Sequence, residues 1–565
     1  MRRQRRGLKL LALILGLSLV AAACGGDDDD GGGGQEAAPS GEEPQQGGEV
    51  VDLGTLVGDP PEHIDPALNV TLDAYQIVNA VYDGLTDIDA SDPDNPEIVP
   101  MVAETVESND DATEWTFTIR EGLTFADGEE ILPSTFQRSW ERASNPDFAG
   151  DYSYLFNFIE GGAEKLDGSA DTISGVEADD ENMTLTVTLA APYSNFDAVA
   201  GFQLFMPVPE AAGTDPAAAA EWENGEMFGN GPFKLEAPRT DSEIVLVPNT
   251  EWDGTKYDEA FALPEQPYLD RLTFQVSADP DTSYNAFEAG EGDNANIPPG
   301  RYSEAQDNYA TTMDVKILGS YHFDFNLRDP VVGGEENLEL RKAINQAIDR
   351  DEINDAVYEG SRIVANGITP EGIPGWKADL CDDCAYDPEA AQEHFDNWKA
   401  AGNELTEPIR IQYNLGAGHE NVVAIIIDNL AAIGIDAVEE GIDTETYFSQ
   451  MADGGCQLCR AGWFADYPTY DNFMYDLFGT ESLGGNNYGY SNPEFDELVA
   501  EAKQTTDPGE QGDLFNQAET ILLEDVGTVP LNWYRGDYAF NEDKLGGFTQ
   551  SNFGLIPYEK VWVKS

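Results

Sequence analysis

The stretch Cys456–Phe473, CQLCRAGWFADYPTYDNF, sets a cation (Arg460), a broad apolar surface (Trp463) and a carboxylate (Asp466) within seven residues. Tyr467, Tyr470 and Phe473 follow, and Pro468 breaks any helix running through them. A carboxylate among aromatic rings is costly to desolvate unless a cation meets it, and the ammonium group of a ligand is one such cation. The plainer alternative is a turn in which Asp466 caps a helix and the rings belong to the core.

Other chemistries find less support. The four histidines, His63, His322, His394 and His419, fall in no H-E-x-x-H, and no G-x-S-x-G elbow occurs. No spacing singles out a pair of carboxylates for acid–base work. No calcium loop of the EF-hand kind is present, which argues against a dedicated calcium-binding role, and no cofactor is expected. The net charge of −79, from 108 acidic against 29 basic residues, repels nucleic acid and anionic membranes. A hydrophobic content of 41% is nevertheless that of a folded protein, and 565 residues suffice for two or three domains.

The amino terminus reads as a processing segment. MRRQRRGLK is followed by an apolar run, Leu10–Val20, too short to span a bilayer comfortably, and then by Ala21-Ala22-Ala23-Cys24. This resembles a bacterial lipoprotein signal, with residues 1–23 removed and lipid attached to Cys24. Removal takes away five basic residues and no acidic ones, so the mature chain is more acidic still. Residues 24–48, beginning CGGDDDDGGGG, form a flexible acidic tether.

Folded sequence begins near Glu49. Helical spacing runs through Leu72–Tyr82, Trp115, Phe117 and Ile119 alternate on a strand, and PSTFQRSWERA (133–143) is a helix. IRIQYN (409–414), a helix ending at Gly434, and IDAVEEG make a βαβ unit, which predicts a mainly parallel sheet. Asn492-Pro493 and Asp387-Pro388 each put a capping residue before a proline at the first helical position.

Read in order, the phrases HIDPALN, YDGL, LTFADGEEILPSTFQRSWERASNP, GNGPFKL, FNLRDP, LRKAINQAIDRDEI, YDPEAAQEHF and RAGWFADYPTYDNF resemble one family. It is the family 5 (peptide- and nickel-binding) extracytoplasmic solute-binding proteins of ABC importers, above all the oligopeptide-binding lipoproteins. The resemblance implies an α/β fold of the periplasmic-binding-protein type II class, two lobes with a hinge plus an inserted domain. Lobe I would comprise 49–82, 191–320 and 529–565, the inserted domain 83–190, and lobe II 321–528. It also implies a monomer outside the cell, tethered to the membrane through Cys24, that delivers its ligand to an ABC permease. Asp466 would pair with a peptide's α-amino group, Trp463 would wall a side-chain pocket, and Arg460 would lie near a ligand carboxylate or form an internal salt bridge. Gly462 and Tyr467 belong to the same phrase. Asn69, Val70, Thr71 and Leu72 match the segment that pairs with the ligand as an added strand, and Tyr152 matches a tyrosine on its backbone. Similar folds take dipeptides, nickel chelates, heme, sugars or opines, and these remain alternatives.

Four further cysteines form two pairs, Cys381-Asp-Asp-Cys384 and Cys456-Gln-Leu-Cys459. Four thiolates can hold zinc. A lipoprotein signal implies an oxidising compartment and so favours disulfides, with three connectivities open.

Overall fold

The computed structural model describes residues 43–89, 96–148, 150–381, 385–416, 418–452, 454–482, 486 and 488–565. The signal segment, Cys24, most of the tether and Cys384 lie outside them. Residues Pro44–Ser565 form one unit, and within it two large sheets carry most of the strands.

The first sheet has seven strands in the order Ala310–Thr311, Tyr538–Phe540, Asn294–Asn296, Glu49–Asp52, Arg271–Gln275, Glu243–Pro248 and Phe233–Leu235. The second has six: Ile363–Val364, Thr528–Arg535, Lys316–Phe325, Leu458–Phe464, Ile409–Asn414 and Ala437–Ile442. The βαβ unit is present, with Ile409–Asn414 and Ala437–Ile442 parallel across the helix His419–Ala432. The sheet around it is mixed and not mainly parallel. Lys316–Phe325 runs antiparallel to both its neighbours because the chain enters this sheet there and leaves it along Thr528–Arg535.

Those two strands also carry the crossings between sheets. Ala310–Thr311 pairs with Tyr538–Phe540 in the first sheet, and Lys316 opposes Arg535 in the second. The expected return to the first lobe at 529 is therefore late: Thr528–Arg535 stays in the second sheet, and so does Lys316–Ser320. The reason is packing, since Val529, Leu531 and Trp533 are buried and continue the ladder as far as Arg535. The crossing falls at Gly536–Asp537.

A third, smaller sheet is antiparallel, in the order Ala103–Ser108, Glu114–Ile119, Thr184–Thr188 and Val176–Asp179. Its inward residues Trp115, Phe117 and Ile119 alternate as read from the sequence, and Leu185 and Val187 do the same on the neighbouring strand. The helix Pro133–Ala143 closes the same core with Phe136 and Trp140. That core extends past 190 to Tyr193, Phe196 and Phe205. Both predicted caps are seen: the side chain of Asp387 accepts from the backbone N–H of Glu389 and Ala390, and that of Asn492 from Glu494 and Phe495.

Candidate ligand site

Leu458–Phe464 is an interior strand, antiparallel to Lys316–Phe325 on one side and parallel to Ile409–Asn414 on the other. Strand periodicity puts Arg460, Gly462 and Phe464 on one face and Trp463 on the other. The backbone leaves the sheet after Phe464, Ala465 N–H donating to the Leu318 carbonyl at 2.7 Å. It bends through Asp466–Pro468, with Thr469 N–H donating to the Tyr467 carbonyl, before the helix Asp471–Phe478 begins.

Asp466 caps no helix. Its carboxylate accepts from the Tyr152 hydroxyl at 3.1 Å and from Asn472 Nδ2 at 3.2 Å, while its N–H donates to Asn472 Oδ1 at 3.0 Å. Asn472 Oδ1 also accepts from Trp463 Nε1 at 3.0 Å. One amide thus fixes both the tryptophan and the aspartate. Burial pushes the Asp466 carboxyl up to about 7; the Asn472 hydrogen bond opposes this and the charge of Asp476 adds to it. Among the described residues no Lys, Arg or His forms an ion pair with Asp466.

Tyr467 does not face the same space. It is buried, and its hydroxyl donates to Asp476 Oδ2 at 2.6 Å, so it holds the support beneath Asp466. Gly462 is required by close approach: a Cβ there would lie 2.6 Å from Tyr534 Oη. Arg460 forms no ion pair among the described residues. It stacks over Tyr321 at 4.9 Å and donates to Asn414 Oδ1 at 3.4 Å, lining a cavity of about 310 Å³ with Tyr302, Arg362 and His419. An adjoining cavity of about 270 Å³ shares Arg362, Tyr534 and Asp537 with it and reaches Leu72 and Phe464. Both lie between residues of the two large sheets.

In the segment 69–72, Asn69 spends its main chain internally. Its N–H donates to the Asp65 carbonyl and its carbonyl accepts from Gln203 Nε2. Thr71 N–H donates to Asn69 Oδ1, Val70 is 47% exposed, and Leu72 lines the second cavity.

Cys456 and Cys459 are joined to each other. Cys381 is disulfide-bonded too, and with Cys456 and Cys459 paired together the four-thiolate zinc reading has no support.

Sequence reading missed Asn472 and Asp476, which lie one and five residues into their helix and look like ordinary polar positions. It also missed Lys503. The Lys503 ammonium sits over the rings of Tyr475, Phe158 and Tyr193 at 3.8, 4.3 and 4.5 Å. No local pattern announces a cation whose three rings come from three separate segments.

Residues 97–485 match the family model described as bacterial extracellular solute-binding proteins, family 5 Middle. The match spans more than half of the chain, and the protein belongs to that family. Among curated relatives it is 25% identical over 504 residues to the oligopeptide-binding protein OppA of Bacillus subtilis, covering 86% of this chain and 88% of that one. It is 28% identical to the periplasmic oligopeptide-binding protein OppA of Escherichia coli over 479 residues, 82% and 84% of the two chains. A probable deoxycholate-binding periplasmic protein of Escherichia coli, YgiS, is 27% identical over 516 residues, 89% and 92%. The Escherichia coli murein tripeptide binding protein MppA superposes with a TM-score of 0.77 at 24% identity, over 92% of this chain and 99% of that one. The fold is that of the type II periplasmic binding proteins, two α/β lobes and an added domain.

Proposed function

We propose that this protein is the extracytoplasmic receptor of an ABC importer, capturing oligopeptides between its lobes and handing them to a membrane permease. The observation that carries the reading is the environment of Asp466. It is a carboxylate held in place by neutral donors, with another carboxylate as its charged neighbour. A peptide's α-ammonium supplies the countercharge, and its pairing strengthens as the lobes close and exclude water. Arg460, without an ion pair six residues earlier, suits the carboxylate of a short peptide. On a strand that rises ~3.3 Å per residue the two lie at most ~20 Å apart. Tyr152 and Trp463 would flank the peptide and Val70 would lend it a backbone partner. No step of this function requires covalent chemistry or a cofactor.

The same reading makes Cys24 the lipid anchor of a monomeric receptor on the outer face of the cell membrane, with residues 25–48 as its leash. A Cys24→Ser variant should lose incorporation of labelled fatty acid and leave the membrane fraction.

The ligand class is tested by calorimetry and thermal shift on residues 49–565 with a mixed peptide digest, the same digest N-acetylated, and deoxycholate. A ligand at 100 times its dissociation constant should add about 2.7 kcal/mol of stability. Stabilisation by the free-amine digest, lost on acetylation and in Asp466→Asn, supports the proposal. Equal stabilisation by the acetylated digest, or a response to deoxycholate alone, would reject the amine as the recognised group.

A further inference from the structure

Beneath Asp466 lies a second carboxylate that ligand capture as described above does not use. Asn472 Nδ2 donates to Asp466 Oδ2 at 3.2 Å and to Asp476 Oδ2 at 3.0 Å, so a single amide group ties the two acids together. Each acid has one further donor, a tyrosine hydroxyl: Tyr152 on Asp466 and Tyr467 on Asp476. Asp476 is fully buried, and among the described residues its Oδ1 has no hydrogen-bond partner. A buried oxygen beside a second carboxylate is where a proton is most easily kept.

The groups facing this pair are few in kind. The core of the third sheet contributes Tyr152, Tyr154 and Tyr193, and the helix Leu72–Val81 contributes Tyr75. Burial raises every one of these phenols, so they stay neutral donors near pH 7. The helix Asp471–Phe478 adds Tyr475 and Asp471, the latter engaged by the Tyr193 hydroxyl. The sole cation acting on the pair among the described residues is Lys503 from the helix Pro493–Gln504, which lowers Asp476 and is itself caged by rings.

We infer that Asp466 and Asp476, joined through Asn472, share one proton in the ligand-free protein and release it when a ligand ammonium pairs with Asp466. Asp476 is then a positioning residue: it never touches the ligand, and through Asn472 it sets the charge that the ligand meets. The step balances simply. The ammonium keeps its three protons, the carboxyl proton leaves to solvent, and no bond other than O–H is broken. Burial holds both acids high, each at about 7, which agrees with a pair that is half protonated near neutrality. The inference rests on the amine reading of Asp466 and adds a linkage that amine recognition alone does not require.

Calorimetry tests it, using an alanine tripeptide pool at several pH values and in two buffers of different ionisation enthalpy. Expected is release of up to one proton per ligand near pH 6, and affinity more than about tenfold weaker near pH 5.5 than near pH 7.5. In Asp476→Asn the midpoint of the pH effect should move to lower pH, because the like charge that adds to burial in raising Asp466 is gone. An unchanged pH profile in Asp476→Asn, or binding without proton release, overturns the inference. The infrared carboxylic-acid band of the ligand-free wild type near pH 7 gives a second readout that needs neither ligand nor a well-folded variant of Asp476. Asp83 and Glu559, also raised to about 7 by burial, absorb in the same band, so the readout is the difference between wild type and Asp466→Asn: loss of one protonated carboxyl supports the pair, and no difference overturns it. If acetylated peptides bind as well as free ones while that difference is present, the amine reading fails and the shared proton stands.

Discussion

The Tyr152 hydroxyl donates to Asp466 Oδ1 across 314 residues of sequence. One residue packs against the core of the third sheet and the other lies on the loop that leaves the second sheet. The contact therefore exists only when those two segments are together, and it ends on the carboxylate proposed to meet the ligand. Phe202 holds the tyrosine ring edge-on at 4.9 Å, so the hydroxyl is aimed by packing.

Tyr152→Phe removes the donor and keeps the ring. Hydrogen bonds to charged groups contribute about 1.5–3 kcal/mol, so amine ligands should bind roughly ten- to a hundredfold more weakly. Because the bond is already made in the ligand-free protein, its melting temperature should fall as well, although the ring packing survives. A matching loss for N-acetylated ligands would show that Tyr152 acts on something other than Asp466.

The pH dependence of stability runs opposite to ordinary acid denaturation. Burial raises Asp83, Asp466, Asp476 and Glu559 to about 7, and Asp87 and Asp197 to about 6. A carboxyl raised in the folded state binds its proton more tightly there than in the unfolded chain. Its stabilisation is complete below the ordinary value near 4 and is lost as pH rises through 6 to 7. The ligand-free protein should be more stable near pH 5 than near pH 8 by at least about 3 kcal/mol. Relief of repulsion in a chain of charge −79 acts in the same direction, and about 1 M salt screens that part. Urea titrations at both pH values in high salt check the remainder.

Lys503 joins the core of the third sheet to the helix Asp471–Phe478. Its ammonium lies over Phe158 and Tyr193 of one and Tyr475 of the other, and its carbonyl accepts from the backbone N–H of Ser194. Lys503→Met should keep the backbone contact and the volume but lose the charge. With cation–π contacts contributing ~0.5–2 kcal/mol each and not additively, the expected cost is about 1–3 kcal/mol in urea unfolding. Asp476 loses its cation as well, so peptide affinity at pH 6 should fall further than at pH 8. A loss of affinity that does not vary with pH would assign Lys503 to packing alone.

What could be read from sequence follows the range of the forces involved. Pro493 and Asn492 declare a helix start because cap and helix are adjacent, and Trp115, Phe117 and Ile119 declare a strand because alternation is local. Asp466 was singled out by its company of Arg460 and Trp463, and its ligand role is the one proposed above. Its supports were not: Tyr152, Asn472 and Asp476 owe their roles to a fold that brings separate segments onto one carboxylate. Tyr467 shows the converse, since its place in the phrase suggests a ligand contact and its burial turns it to Asp476. The register of Thr528–Arg535 depends on its partner Lys316–Phe325, which no property of 528–535 alone encodes.

Gly536 marks the return crossing and carries the last prediction. Its N–H donates to the Val315 carbonyl at 2.9 Å, tying one crossing strand to the other. A Cβ at Gly536 would overlap the Thr312 carbonyl, backbone that cannot rotate away, and would crowd Thr312 Oγ1 and Gln550. Gly536→Ala must therefore spread the two crossings. The cost should be about 1–3 kcal/mol, the range for overpacking. Since these crossings are the strands about which the lobes would turn, the variant should also change ligand on-rate more than a distant substitution of equal stability cost. Stopped-flow binding against a stability-matched control such as Val187→Ala measures this, and equal on-rates in the two would remove Gly536 from the hinge.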